Sequence, residues 1–240
     1  CIMLMLKGQN VWTALAGALL AGMVCGLATG IFHTFMGIPA ILSGILTQLG
    51  LYSVNLKIMG KANQAINVDK FNLLISLRFI KNVPFYKNTI LIVALIIILL
   101  IGFLYWFFGT ELGCSLRATG CNDKMARAQG INTDLNRVLG LMISNGLVAL
   151  SGALLTQYQG FADINMGRGA IVIGLAAVII GEAIFGKVYV NFGCRLLGVA
   201  LGSIIYYLVL QFVIAMGLDT DLLKLLSALV VAVFLGISTM

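Results

Sequence analysis

Long runs of apolar residues with almost no charge constrain the fold of this chain more than any other feature. A helix rises 1.5 Å per residue and needs about 20 residues to cross a hydrocarbon core of roughly 30 Å. With 61% hydrophobic and 10% charged residues among 240, the chain has more apolar surface than a soluble fold of this size could bury. The sequence therefore predicts an all-α fold, a polytopic transmembrane helical bundle.

Hydropathy and helix-breaking residues predict about seven membrane segments within one transmembrane domain that covers residues 1–240. The segments lie near 11–32, 39–58, 89–109, 135–157, 168–186, 194–216 and 222–239. The chain begins at Cys1, without an initiator methionine or a signal-peptide pattern, which leaves open that it lacks an N-terminal helix.

Small residues recur at every fourth position of the first segment and give this helix one smooth face. They are Ala14, Ala18, Gly22, Gly26 and Gly30. Faces of this kind let the backbones of membrane helices approach closely. The fifth and sixth segments show the same device, at Gly174, Ala177 and Gly181 and at Gly198 and Gly202. The sequence predicts tight helix packing at these faces.

Charge and cysteine content exclude several classes of function. The net charge of +7 is spread over many connections, as expected for charges that flank a lipid membrane rather than bind nucleic acid. The five cysteines include no C-x-x-C pair, and His33 is the only histidine. These residues predict no disulfide framework, no metal site and no catalytic acid–base pair. We expect a protein that is not an enzyme.

The second segment carries a polar face formed by Gln48, Tyr52 and Asn55, at positions i, i+4 and i+7. Because uncompensated amides are costly in hydrocarbon, this face should look into the protein or a wet cavity. It could serve interhelical hydrogen bonding or line a transport pathway, for which Asn145 is a further candidate. Glu182 similarly admits a structural role near a helix end or a role in proton transfer.

The connection over residues 59–88 is the longest polar one and includes five lysines and arginines. An apolar stretch at 71–80 within it predicts an interfacial amphipathic helix that ends before Pro84.

The stretch 115–134, SLRATGCNDKMARAQGINTD, predicts a short helix of about two turns between two membrane segments. Asn122 is a suitable N-cap, and Gly130 can adopt the left-handed conformation after the last turn. Thr133 or Asp134 is expected to cap the next membrane helix. Ala126 and Gly130 are small and four residues apart, so a partner could approach closely there. The alternative is a solvated connection without a partner.

The pattern R-A-x-G-x-N-x-x-x-A-x-x-x-G-I-N at 117–132 resembles the cytoplasmic coupling segment of ABC-importer permeases of the ribose and branched-chain amino-acid family. Residues 145–186 are similar to the next two helices of that family. Residues 27–61 resemble its branch associated with tryptophan-type substrate-binding proteins. The usual coupling motif begins Glu-Ala-Ala, whereas Met-Ala-Arg stands at 125–127 in this chain.

The resemblance implies a permease of a bacterial inner membrane that imports a small solute such as an amino acid. Its coupling segment would span 115–131, with Ala118, Gly120, Asn122, Ala126, Arg127 and Gly130 as coupling residues. The implied partners are a second permease subunit as a homodimer, two ATPase subunits that bind ATP and Mg²⁺, and a substrate-binding protein on the opposite face. The rival interpretation is an ion-coupled secondary transporter or channel.

ATP binding is expected in a partner chain and not in this one. Residues 181–188 read G-E-A-I-F-G-K-V, which has valine where a phosphate-binding loop needs serine or threonine, and they end a membrane helix.

The orientation of the chain in the membrane is less simple to assign. If 110–134 is cytoplasmic, strict alternation of spans puts the basic 59–88 connection outside, against the positive-inside tendency. Either this connection is an exception or one segment is re-entrant.

Overall fold

The computed structural model describes residues 1–66, 75, 89–167, 170–185 and 191–215. The helices in these ranges are α1 (Ile2–Leu6), α2 (Val11–Thr34), α3 (Ala40–Met59), α4 (Thr89–Gly109), α5 (Glu111–Cys121), α6 (Asp123–Ala128), α7 (Thr133–Gln159), α8 (Ala170–Phe185) and α9 (Phe192–Ala215). Two short strands, β1 (Asn63–Ala65) and β2 (Phe161–Asp163), form an antiparallel pair.

Each predicted segment from 11–32 to 194–216 coincides with a helix, whereas 222–239 lies outside the described residues. Among the described helices, four are long and apolar enough to cross a membrane, namely α2, α4, α7 and the 192–212 part of α9. The chain is therefore a helical membrane protein, and the predicted count of seven segments is not confirmed. The interfacial helix expected at 71–80 also falls outside the described residues, except for the buried Ile75.

The chain divides into two compact units. The first comprises residues 1–99 and 106–165, and the second comprises residues 100–105 and 166–240. The two strands and helices α1 to α3 and α5 to α7 belong to the first unit, and α8 and α9 belong to the second.

The first unit is built on the close packing of α2 against α7. A Cβ atom added at Gly22 would lie 2.5 Å from the Cβ of Ala149, and one added at Gly30 would lie 3.0 Å from the Cα of Val138. The contacts move back along α7 as they advance along α2, so the two helices are antiparallel. The glycines at 22, 26 and 30 of α2 are thus turned toward α7. Ala14 is fully buried in a cluster with Ile2, Met5 and Ile66, and Ala18 is partly buried.

The strand pair fixes which end of α7 the 59–88 connection approaches. Asn63 pairs with Asp163 and Ala65 with Phe161. Because β2 follows the C-terminal end of α7, the connection begins at the end of this helix opposite α6. A helix of 27 residues is about 40 Å long, enough to separate two membrane faces. The first part of this connection therefore lies where strict alternation of spans places it.

The second unit is centred on the packing of α8 against α9. A Cβ atom added at Gly181 would lie 2.5 Å from the carbonyl oxygen of Gly198, whereas one added at Gly174 would meet nothing within 4 Å. Ala176, Ile180 and Tyr206 form the buried core of this pair. Glu182 is exposed, and the end of the G-E-A-I-F-G-K-V stretch lies at 186–188, outside the described residues.

Candidate coupling site

The candidate coupling site begins with α5, a helix that the sequence analysis did not predict. The Oγ1 atom of Thr110 accepts a hydrogen bond from the backbone N–H of Gly113 at 3.3 Å, and Glu111 lies in the first turn. A threonine cap followed by an acidic residue is a local signal for a helix start and could have been recognised. Ala118 and Gly120 therefore lie on α5 and not in an irregular connection.

The predicted capping of α6 is confirmed at both ends. The Oδ1 atom of Asn122 accepts from the backbone N–H of Met125 at 3.1 Å. At the other end, Gly130 has φ +80°. Its N–H donates to the carbonyl of Arg127 at 3.0 Å, and that of Ile131 donates to the carbonyl of Ala126 at 3.1 Å. This pair of bonds is the Schellman motif, in which a left-handed glycine satisfies the last carbonyls of a helix.

The predicted cap of α7 was wrong by one residue. Asn132 is the N-cap, because its Oδ1 atom accepts from the backbone N–H of Leu135 at 3.2 Å. Thr133 is already the first helical residue, so its side chain and that of Asp134 are available for other contacts.

Those contacts connect α6 to α7. The Nε atom of Arg127 donates to Oγ1 of Thr133 at 2.7 Å, and its Nη2 atom lies 2.9 Å from Oδ1 of Asp134. Near the start of α6, Oδ2 of Asp123 lies 2.8 Å from Nη2 of Arg137. Arg127 was a predicted coupling residue, whereas Arg137 was not, because its pairing with Asp123 joins separate helices and leaves no periodic pattern.

A buried polar bond ties α5 to the same part of α7. The Nδ2 atom of Asn136 donates to Oγ1 of Thr119 at 3.1 Å, and both side chains are buried. The Thr119 hydroxyl donates in turn to the carbonyl of Ser115 at 2.8 Å. Buried polar groups that are fully paired fix one relative position of the helices that carry them. Helix α5 is therefore held to the N-terminal part of α7, next to the ion pairs of α6.

The expectation that Ala126 offers a close approach to a partner needs correction. Its side chain is fully buried within the chain, so its small size serves the packing of α6 against its own neighbours. Gly120 and Gly130 remain exposed, and a Cβ atom added at either would meet nothing within 4 Å. The exposed side chains of α6 are Lys124, Met125, Arg127 and Ala128.

The candidate pathway residues do not form one cluster in the described part of the chain. Gln48, Tyr52 and Asn55 are exposed along α3. Asn145 lies on α7, is partly buried, and donates from Nδ2 to the carbonyl of Leu141 in its own helix at 2.9 Å.

A different polar pair joins α3 to α2. The hydroxyl of Thr29 donates to Oγ1 of Thr47 at 2.9 Å, a contact that the sequence analysis missed. Two hydroxyl side chains in separate segments carry no sequence signal that they face each other.

Comparison with known proteins identifies relatives over most of the chain. The family described as branched-chain amino acid transport system, permease component, matches residues 1–237. A tyrosine transport system permease protein of Clostridioides difficile (strain R20291) is 40% identical over 220 residues, which cover 91% of this chain and 70% of that protein. An uncharacterized protein of Rickettsia prowazekii (strain Madrid E) is 36% identical over 231 residues, covering 95% of this chain and 79% of the relative.

A more distant relative is an autoinducer 2 import system permease protein of Yersinia pestis (strain Pestoides F). It is 31% identical over 167 residues, which cover 68% of this chain and 45% of that protein. No solved structure matches the chain.

Proposed function

Because this chain belongs to the permease family of branched-chain amino acid transport systems, we propose that its segment 115–131 couples it to a separate ATPase subunit. The chain is the permease of an ABC importer and a multi-pass protein of the bacterial inner membrane. In the proposal, ATP and Mg²⁺ bind in the partner, and the permease converts the movement of that partner into alternating access for the solute.

The observation that carries the proposal is a short helix held in place at one end of the bundle with an exposed outer face. Six residues are too few for α6 to be a stable helix by itself. Caps at both ends and ion pairs to α7 hold it, while Lys124, Met125 and Ala128 remain exposed. A simple connection needs none of these devices, whereas a docking element for another subunit does.

The two ends of α7 separate the proposed partners. We assign the ATPase to the α6 face and therefore the substrate-binding protein to the opposite face, where strands β1 and β2 lie. A second copy of the permease would complete a homodimeric pathway. Its polar lining would include Gln48, Tyr52, Asn55 and Asn145, the first three of which present amide and hydroxyl groups on an exposed face of α3.

The solute is proposed to be an aromatic amino acid. The support is the relative named for tyrosine transport, which shares 40% of the aligned residues over 91% of this chain. The test is uptake of radiolabelled tyrosine, tryptophan and leucine into vesicles that hold the permease, the ATPase and the binding protein encoded beside it. Uptake of leucine alone would contradict the aromatic assignment and leave the coupling proposal standing.

The coupling proposal is tested by co-purification of the ATPase with two charge-matched variants. Met125→Glu adds a negative charge to the exposed face of α6, at a side chain that is 50% exposed, so the fold should tolerate it. Gln64→Glu adds the same charge on β1, at the end of α7 opposite α6. We expect Met125→Glu to lower ATPase recovery about tenfold, equivalent to ~1.4 kcal/mol of binding, and Gln64→Glu to leave recovery unchanged.

Position 125 is a better probe than position 126, because a bulky side chain at the buried Ala126 would disturb the permease itself. Equal recovery for both variants would contradict the assignment of α6 as the docking element. If no ATPase accompanies the unaltered permease, the coupling proposal fails and an ion-coupled transporter becomes the better interpretation.

A further inference from the structure

Four charged side chains form a closed ring between α6 and α7, and we propose that Arg137 is a positioning residue that makes these two helices move as one body. The inference rests on the proposed coupling function, because it concerns how movement at α6 reaches the membrane. Arg137 transmits movement from α6 to α7 and does not contact the ATPase.

The ring alternates in sign at every step. Asp123 lies 3.8 Å from Arg127, Arg127 lies 2.9 Å from Asp134, Asp134 lies 3.7 Å from Arg137, and Arg137 lies 2.8 Å from Asp123. The two shortest contacts are those that cross between the helices. One involves the first residue of α6 and the other its fifth, so α6 is attached to α7 at two points. Turning or sliding α6 along α7 must lengthen at least one of them.

The ring fixes the relative position of α6 and α7 more than it adds to the free energy of folding. All four side chains are partly exposed, and exposed ion pairs contribute little to the free energy of folding. The planar guanidinium of Arg137, however, has Nη2 2.8 Å from Asp123 on α6 and Nη1 3.7 Å from Asp134 on α7, so one rigid group restricts how the two helices are placed. Removing Arg137 should therefore leave the helices folded while freeing α6 to change its position on α7.

A movement of α7 would be transmitted directly to α2, because these two helices are closely packed. An added Cβ at Gly26 would lie 2.7 Å from the Cα of Met142, a separation that leaves no free space between α2 and α7. The buried bond from Asn136 to Thr119 brings α5 into the same body. The structure thus offers a continuous mechanical connection from α6 through α7 to α2.

The experiment measures the distance between spin labels on α6 and α7 in the complete complex with its ATPase. Suitable sites are Gln129→Cys, directly after the last turn of α6, and Val148→Cys on α7, because both side chains are exposed and neither belongs to the face of Lys124, Met125 and Ala128 assigned to the ATPase. The five native cysteines are free, and none is fully buried, which permits their replacement for labelling. The distance is recorded without nucleotide and with ATP trapped by vanadate.

With Arg137 present, we expect the distance between the labels to change by less than about 2 Å on ATP trapping, although the complex as a whole changes state. With Arg137→Gln, we expect a shift or a second population displaced by roughly 5 Å, the scale of one helical turn. Asp123→Asn removes the other partner and should act alike. Lys57→Gln, which removes the same charge from an exposed position on α3, should preserve the unaltered behaviour.

ATP hydrolysis is measured in every complex and should persist in Arg137→Gln. A variant that had merely lost stability would instead lose its ATPase, and hydrolysis with it. A large distance change in the unaltered complex, or an unchanged distance in both Arg137→Gln and Asp123→Asn, would overturn the inference while leaving α6 as the docking element. Absence of the ATPase from the unaltered complex would refute the coupling proposal and this inference together.

Discussion

Replacing Gly26 with alanine is a direct test of the packing between α2 and α7. The added Cβ would lie 2.7 Å from the Cα of Met142 and 2.9 Å from the carbonyl carbon of Leu141. Both neighbours are backbone atoms of α7, so they cannot move aside as the tip of a flexible side chain could. The two helices must separate instead.

The size of the effect follows from these distances. Restoring a carbon–carbon contact of about 3.5 Å requires a separation of roughly 0.8 Å, which also loosens the neighbouring contacts at Gly22 and Gly30. Overfilling a packed interior costs about 1–3 kcal/mol, and each kcal/mol lowers the midpoint of thermal unfolding by roughly 2–4 °C for a chain of this length. We expect the midpoint of Gly26→Ala to fall by roughly 2–12 °C.

The assay is thermal unfolding of the purified permease in detergent, followed by intrinsic fluorescence. Gly152→Ala is the matched control, because Gly152 lies on α7 and an added Cβ there meets nothing within 4 Å. Alanine is the better helix former, so this control should be neutral or stabilising by up to about 1 kcal/mol. Equal midpoints for Gly26→Ala and Gly152→Ala would refute the close packing of the two helices.

Three further outcomes are expected. Asn122→Ala removes the N-cap of α6 and should cost about 1 kcal/mol, seen as roughly fivefold faster hydrogen exchange at residues 123–128, whereas Asn122→Asp should retain the cap. Gly130→Ala places a Cβ at φ +80° and should lower the unfolding midpoint through a cost of about 1 kcal/mol, while Gly120→Ala, within α5, should not. Glu182→Gln should leave ATP-driven tyrosine uptake unchanged, because this side chain is exposed; abolished uptake would instead favour an ion-coupled transporter.

Features that depend on neighbouring residues were predictable from the sequence. The caps of α6 use Asn122 and Gly130, whose conformational preferences act within one turn, and both were identified correctly. The start of α7 was placed one residue late, because asparagine, threonine and aspartate at 132–134 all suit an N-cap, and only the backbone decides among them. Helix α5 was missed because its polar composition resembles that of a connection.

Features that depend on distant residues were not predictable. Nothing in the local sequence relates Asn63 to Asp163, although their pairing determines which end of α7 the 59–88 connection approaches. The small size of Ala126 was noted in the sequence. Whether its side chain faces a partner or its own chain depends on how α5, α6 and α7 pack together. The contact between Asp123 and Arg137 likewise arises only when two helices meet.

The close packing of α2 on α7 also has a consequence for how the protein is made. Leu141 follows Gly26 by roughly 115 residues, which a ribosome adds in about 6–23 s at 5–20 residues per second. During that interval α2 has been synthesised, but α7, which packs against its glycines, has not. Lipid or the insertion machinery must cover this face until α7 arrives. Assembly of the first unit therefore cannot be completed before α7 has been synthesised.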